Sequence, residues 1–166
     1  MSALNEYRGG SKKIYGFDTF SGMTAPAEID KDLWGESAEN LLQNSEYKDG
    51  TDSFHAFASM SLVKEILKKN NCFDIILIEG DVGKTLLETQ NLPSSISLLR
   101  LDTDWYESTK IELEILYPLL EPGGILIIDD YGHFSGARKA VDEYFKNKIP
   151  FMFHVDYSCR ILIKDL

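Results

Sequence analysis

Apolar positions in this chain fall into short unbroken runs separated by stretches of helical periodicity. Ile14-Tyr15-Gly16-Phe17 is short and β-prone and stops at Asp18 before the turn-rich Ser21-Gly22, which predicts a buried strand. Phe73 to Ile78 is apolar apart from Asp74 and is closed by Gly80, Ile96 to Leu101 stops at Asp102, and Ile125 to Ile128 stops at Asp129 and Asp130. Continuous runs of this kind are the pattern of strands covered on both faces. Between them, Val63, Ile66 and Leu67 recur at helical spacing, with Ser59 or Ser61 to cap the first turn and Lys68, Lys69 and Asn70 to close it. Tyr106 to Leu120 places Leu113, Leu116 and Leu120 on one face, with Glu107, Lys110, Glu112 and Glu114 mostly away from it. That predicts an amphipathic helix, followed by a turn at Pro122-Gly123-Gly124. Ser135 is placed to cap a helix carrying Ala137, Ala140, Val141, Tyr144 and Phe145 on one stripe. Gly83 to Thr89 reads as a short helix, and Phe151 to Val155 with Arg160 to Lys164 as an antiparallel hairpin at a sheet edge. Met23 to Phe57 mixes Pro26, Gly35 and Gly50 with polar residues and predicts only short helical turns and loops.

Strands that alternate with helices indicate an α/β fold, a mostly parallel sheet with helices on both faces, here read as a single domain over residues 1–166. Ligands of such sheets bind beyond the carboxyl ends of the strands. Asp18, Asp102, Asp129 and Asp130 all stand at those ends.

Asp102-Thr103-Asp104 and Asp129-Asp130 follow strands consecutive in the chain, so their carboxylates converge if those strands pair at the usual spacing of ~4.8 Å. Carboxylates that close need a counter-charge, and oxygen donors without a cysteine or histidine cluster favour Mg²⁺ or a similar ion. Helix capping is the alternative use of the same acids. Asp18 is placed either to accept ribose hydroxyls or to close a turn. His133, after Asp130-Tyr131-Gly132, is either a base or substrate contact at the same site or a surface histidine; His55 and His154 read as structural. Gly83-Lys84-Thr85 imitates the end of a P-loop, but Ile78 stands where the first glycine belongs. Asp102-Thr103-Asp104 also imitates the acid pair of haloacid-dehalogenase phosphatases and the DxD of some glycosyltransferases, but Tyr106 departs from the phosphatase pattern.

The chain has 166 residues, 43% of them hydrophobic, enough for a real core. Its 17 Lys and Arg against 27 Asp and Glu give a formal charge of −10, which argues against a nucleic-acid partner because phosphate tracking needs clustered cations. Cys72 and Cys159 are far apart and read as buried or semi-buried thiols. The first ten residues carry no signal-peptide pattern and no run approaches the ~20 apolar residues of a membrane span, so a soluble, cytoplasmic protein without membrane contact is expected.

Leu99-Arg100-Leu101-Asp102-Thr103-Asp104-Trp105-Tyr106-Glu107-Ser108-Thr109, Leu116-Tyr117-Pro118, Pro122-Gly123-Gly124 and Ile127-Ile128-Asp129-Asp130-Tyr131 follow one another in an order and spacing that resembles the macrocin O-methyltransferase family. The resemblance extends through Ala140 to Phe145, and Tyr15 to Gly22 is similar to that family's second strand and ribose-binding turn. It implies a Rossmann-like methyltransferase fold with a C-terminal antiparallel hairpin. The implied reaction moves a methyl group from S-adenosylmethionine to a small-molecule hydroxyl, on a sugar or natural product, with Mg²⁺ assistance. By the same resemblance Asp102, Asp129 and Asp130 hold the metal, Asp102 or His133 takes the hydroxyl proton, Asp18, Thr19 and Phe20 form the ribose turn, and Gly80 and Asp81 lie near the adenine. Such a protein carries a strand, a glycine loop and a helix ahead of the strand at Ile14, where this sequence has Met1 to Lys13 with Gly9-Gly10-Ser11. The first strand is thus expected to be missing, cofactor binding to be weakened, and the exposed sheet edge to be rearranged or covered by a partner such as a second copy. A silent binding or assembly module and a metal-dependent phosphoryl-transfer enzyme are the competing expectations.

Overall fold

A computed structural model describes residues 7, 9, 12–45, 54–72, 74–148 and 150–165. Phe73, Gly10, Ser11 and Gly50, named above, lie outside them. In chain order the elements are β1 (Ile14–Asp18), α1 (Ala38–Asn44), α2 (Met60–Lys69), β2 (Ile75–Glu79), α3 (Val82–Thr85), β3 (Ile96–Leu101), α4 (Tyr106–Leu116), β4 (Leu120–Ile128), α5 (Ser135–Tyr144), β5 (Phe153–His154) and β6 (Arg160–Ile163). Single 3₁₀ turns stand at Thr89–Asn91 and Tyr117–Leu119. They group into two compact units, one within residues 1–24 and 45–85, the other within 25–44 and 86–166.

In the first unit β1 and β2 pair in parallel, from Ile14 opposite Ile75 to Asp18 opposite Glu79. α2 begins as its sequence suggests, with Ser59 Oγ accepting from Leu62 N–H, and it closes with the Asn70 N–H on the Ile66 carbonyl. The strands are followed at once by turns: Asp18 Oδ1 accepts from Phe20 N–H at 2.6 Å, and Asp81 Oδ1 accepts from Gly83 N–H at 2.9 Å at the start of α3.

The second unit is built on a sheet of order β3-β4-β6-β5. β3 and β4 are parallel, and β6 runs antiparallel to both β4 and β5, so the hairpin expected at the sheet edge is present. Leu99, Leu101, Leu126, Ile128 and Leu162 of the sheet and Leu113, Leu116, Ala137, Ala140 and Val141 of the helices are buried. Each large side chain among them contributes about 1.5–3 kcal/mol on leaving water. Trp105 and Phe134, just ahead of α4 and α5, meet edge to face at 5.1 Å and join the two helix starts.

Three local expectations are corrected. The helix predicted to Leu120 ends at Leu116, because Pro118 opens a 3₁₀ turn and Leu120 is already paired with Ile96 in the sheet. Pro122-Gly123-Gly124 is no free turn but an irregular stretch inside β4, where the register shifts between Ile96 and Leu98. Ser135 makes no cap on α5; its hydroxyl donates instead to the carbonyls of Ile29 and Lys31, at 2.6 and 3.1 Å.

Lys164, after β6, carries a consequence for stability. Its ammonium donates to the carbonyls of Tyr117, Pro118 and Leu120 at 3.0, 3.3 and 2.6 Å, pinning the turn that links α4 to β4. Lys164→Met keeps the stem and removes the donors, so urea unfolding should show a loss of about 1–3 kcal/mol. An unchanged midpoint would mean that water replaces the ammonium at no cost.

Candidate acidic site

β3 and β4 deliver acids side by side because Leu101 stands opposite Ile128 in a parallel pair, and Asp129 N–H closes the ladder on the Leu101 carbonyl at 3.0 Å. Asp102 and Asp129 are thus the first residues past neighbouring strand ends. Asp104 enters by a different device. Trp105 N–H donates to the Thr103 carbonyl at 2.7 Å around Asp104, whose φ of +65° is left-handed. This tight γ-like turn holds Asp104 in a conformation that an aspartate tolerates better than most side chains.

The result is a group formed by Asp102, Asp104 and Asp130, each of which offers one carboxylate oxygen, the three lying within 4.8 Å of one another. Asp130 Oδ2 is buried and lacks a hydrogen-bond partner among the described residues. Asp129 lies at the border of this group, with its Oδ2 on Arg100 Nη2 at 2.7 Å, and Arg100 Nη1 reaches Asp102 Oδ2 at 2.6 Å. One guanidinium therefore bridges the two strand-end acids.

Burial and mutual repulsion push these acids toward their neutral forms. Desolvation, aided by the hydrogen bond that its acid form donates to Asp104 and by the Asp104 and Asp129 charges, lifts Asp130 well above the usual carboxylate range. Desolvation also raises Asp104, although its bond with Asp130 opposes this. Both shifts favour retention of a proton by the pair. Asp102 is raised to about 6, mainly by burial and its bond with Asp129, with Arg100 opposing.

Beneath the group lies Glu112, only 5% exposed and accepting a hydrogen bond from Thr103 Oγ1 at 2.9 Å. The sequence reading turned Glu112 away from the core, and this is corrected: Thr109, Glu112, Leu113 and Leu116 form the buried stripe of α4 at spacings of three and four. That spacing signals a buried position even though the residue is charged. Burial pushes Glu112 up to about 8, with Asp102 and Asp130 adding repulsion. A carboxyl raised from its unfolded value of 4.5 stabilises the fold fully below that value and loses this contribution as pH rises through about 8. Glu112→Gln keeps a group that can accept from Thr103 and does not titrate. Its thermal midpoint should therefore fall less between pH ~5 and ~9 than that of the parent protein. Parallel pH curves would remove Glu112 as the source.

His133 joins the site through Asp130: its backbone N–H donates to the Asp130 carbonyl at 3.0 Å. The ring packs on Phe134 at 4.4 Å and meets Trp34 and Tyr157 edge to face, at 5.8 Å each. It also lines an open cavity of about 480 Å³ together with Leu33, Tyr131 and Arg138.

The other expected residues lie in the first unit. Asp18 and Gly80 are brought together there, Gly80 N–H donating to the Asp18 carbonyl at 2.9 Å. Phe20 is buried in a left-handed turn with φ of +50°, and Thr19 Oγ1 donates to the Gly22 carbonyl. Asp81 follows Gly80, with its carboxylate turned to Gly83 N–H.

A family model described as Macrocin-O-methyltransferase (TylF) matches residues 1–162. The 8-demethyl-8-(2,3-dimethoxy-alpha-L-rhamnosyl)-tetracenomycin-C 4'-O-methyltransferase of Streptomyces olivaceus is 51% identical over 49 residues, which is 30% of this chain and 18% of that protein. Demethyldecarbamoylnovobiocin O-methyltransferase of Streptomyces niveus is 46% identical over 50 residues, 30% of this chain and 19% of its own. Among solved structures, the O-methyltransferase NovP superposes with a TM-score of 0.78 at 22% identity, over 98% of this chain and 64% of NovP. CalS11, a calicheamicin methyltransferase, gives 0.73 at 22% identity, over 98% of this chain and 65% of its own. These structural likenesses show the α/β fold of the Rossmann-like methyltransferases. The chain spans less than two thirds of the length of either solved protein, and the matched segments cover less than a fifth of the curated relatives. No helix among the described residues is long and apolar enough to cross a membrane.

Proposed function

Because the chain belongs to the macrocin O-methyltransferase family, whose model matches residues 1–162, we propose that it serves methyl transfer from S-adenosylmethionine to a hydroxyl of a sugar or natural product, with Mg²⁺ at the acidic site. The observation that carries the reading is the convergence of Asp102, Asp104 and Asp130 beyond two parallel strand ends. Their chemistry fits a hard divalent cation: all donors are oxygens, one from each acid lies within 4.8 Å of the others, and Asp130 Oδ2 is buried without a partner among the described residues. When bound there, Mg²⁺ polarises an acceptor hydroxyl and lowers its pKa.

The chain's own groups have distinct parts in this reading. Asp102, Asp104 and Asp130 hold the cation, while Arg100 restrains Asp129 at the border. To hold the cation Asp104 and Asp130 would both be ionised, against the burial that favours their neutral forms. Asp102 and His133 are the groups assigned to accept the hydroxyl proton, a step that needs a base within hydrogen-bond reach. S-adenosylmethionine supplies the methyl group, and Asp18, at the carboxyl end of the β1–β2 pair, is the acid assigned to its ribose hydroxyls, with Thr19 and Phe20 shaping the turn and Gly80 and Asp81 beside it.

Thermal shift with Mg²⁺, with S-adenosylhomocysteine and with both tests the reading, because a ligand that binds the native state raises its apparent stability. Stabilisation by both ligands supports it. No response to either would leave a silent module of methyltransferase fold, and hydrolysis of generic phosphate esters would favour phosphoryl transfer.

A further inference from the structure

Four acids stand beyond the ends of β3 and β4, and three of them, Asp102, Asp104 and Asp130, converge. Asp129 is the one turned aside. Its backbone is held on both sides, the N–H on the Leu101 carbonyl at 3.0 Å and the carbonyl accepting from Ser158 Oγ at 2.6 Å. The direction of its carboxylate is therefore left to side-chain rotation and to the groups that the carboxylate meets. These are Arg100, whose Nη2 donates to Asp129 Oδ2 at 2.7 Å, and the Cys159 thiol, a weak donor.

The strand register supplies this arrangement. Arg100 stands opposite Ile127 in the parallel pair, and Asp102 and Asp129 each follow two residues later, where an extended chain returns to the same face. The planar guanidinium then spans the two acids, with Nη1 on Asp102 Oδ2 at 2.6 Å and Nη2 on Asp129 Oδ2 at 2.7 Å. The three side chains are 43%, 44% and 34% exposed, and an ion pair this open to water adds little to the stability of a fold. What the bridge does fix is the direction of the two carboxylates. Asp102 and Asp129 also share a hydrogen bond, so a rotation of the Asp129 side chain would carry its carboxylate into the converging group.

We propose that Arg100 sets the donor count of the acidic site, holding Asp129 out of it so that three carboxylates, and not four, face a divalent cation. The proposal rests on the Mg²⁺ reading of the site, and it makes Arg100 a positioning residue that selects the ion. Mg²⁺ binds through few carboxylates and keeps several waters, whereas Ca²⁺ takes about six to eight oxygens and gains with each added carboxylate. A site limited to three acids leaves coordination positions for water and for an acceptor oxygen. A fourth carboxylate would fill one of those positions and favour the larger, more readily dehydrated ion. The guanidinium also places its own positive charge beside Asp102, which opposes any cation arriving there. Both effects weaken binding, and only the first changes the preference between ions.

Arg100→Met keeps the stem and removes the fork. Calorimetric titration of the metal-free protein is expected to show Mg²⁺ bound about tenfold more tightly by this variant and Ca²⁺ about 100-fold more tightly. Mn²⁺ bound to the variant should relax water protons less than Mn²⁺ bound to the wild type, because the fourth carboxylate displaces a coordinated water. Adding Asp129→Asn to Arg100→Met removes that carboxylate and should restore the wild-type ion preference and relaxation. Arg100→Lys, whose ammonium lacks the fork, should move both readouts in the same direction by a smaller amount, and it carries the test if Arg100→Met does not fold. A fall in Mg²⁺ affinity in the Arg100 variants, or equal gains for both ions with unchanged relaxation, overturns the proposal and leaves the Mg²⁺ reading standing. A Ca²⁺ gain that persists in the double variant overturns the part given to Asp129. A wild-type protein that binds none of the three ions overturns the Mg²⁺ reading, and the proposal with it.

Discussion

Asp130→Asn is expected to weaken Mg²⁺ binding by about 100-fold or more while leaving the metal-free protein as stable as before. Loss of a partner that merely supports a metal ligand typically costs 10–100-fold in affinity, and a direct carboxylate ligand should cost at least that. The fold is spared because Asp130 Oδ2 has no hydrogen-bond partner to lose among the described residues, and because burial already holds this carboxyl toward its neutral form, which asparagine imitates in shape and charge. Asp129→Asn makes the contrast. Arg100 holds Asp102 and Asp129 alike, but only Asp102 has an oxygen in the converging group, so loss of the Asp129 charge should weaken Mg²⁺ less than about tenfold, by disturbing the border of the site and not its donor set. Calorimetric titration of both variants checks the pair of outcomes, and equal losses would place Asp129 among the ligands after all. The wild-type titration carries a further sign. Ligand carboxyls must be ionised and burial favours the neutral forms of Asp104 and Asp130, so affinity should rise with pH and the binding heat should depend on the buffer.

The parts of this site that the sequence displays are those fixed by period and chain order. Apolar runs ending in acids place Asp102, Asp129 and Asp130 at strand ends, and the parallel pairing of β3 with β4 follows from the alternation of strands and helices. What pairing alone does not decide is where a carboxylate turns. Asp129 goes to Arg100, a residue inside β3 that reads from sequence as one polar position in an apolar run. Asp104 joins the group because a γ-like turn with positive φ carries it inward, and such a turn depends on the backbone rather than on residue type alone. Glu112 shows the limit of sorting residues by polarity. It lies on the apolar stripe by spacing, and only the presence of Thr103 as donor, together with its raised pKa, makes the burial of a carboxyl tolerable. The loop between residues 25 and 37 was illegible for a similar reason. Its conformation is set by Asp30 and Ser135, bonded across more than seventy positions of sequence, and no local period announces them.

The strongest of these distant constraints is the contact of Asp30 with Gly136, and Gly136→Ala should cost about 3 kcal/mol or more. In an ordinary helix this substitution is favourable by ~1 kcal/mol, because alanine loses less backbone entropy than glycine. Here the added Cβ would lie 1.7 Å from Asp30 Oδ1 and 2.9 Å from the Tyr106 nitrogen, closer than any real contact. Asp30 cannot retreat without loss. It is 1% exposed, its Oδ1 accepts from Tyr106 N–H at 2.8 Å and its Oδ2 from Ala27 N–H at 2.7 Å. Each hydrogen bond to a charged group is worth about 1.5–3 kcal/mol, so breaking both outweighs the helical gain. The displacement also reaches the site, because Tyr106 N–H is the first of α4 and follows directly on the turn that aims Asp104. Gly136→Ala is therefore expected to lower both the urea midpoint and the affinity for Mg²⁺. Asp30→Ala should cost a similar amount, and the double variant much less than the sum, since the methyl group then enters the space that the carboxylate has left. Strict additivity in that cycle, or a loss below about 1 kcal/mol in Gly136→Ala, would show that the loop yields and that Asp30 does not hold α4 and α5 together.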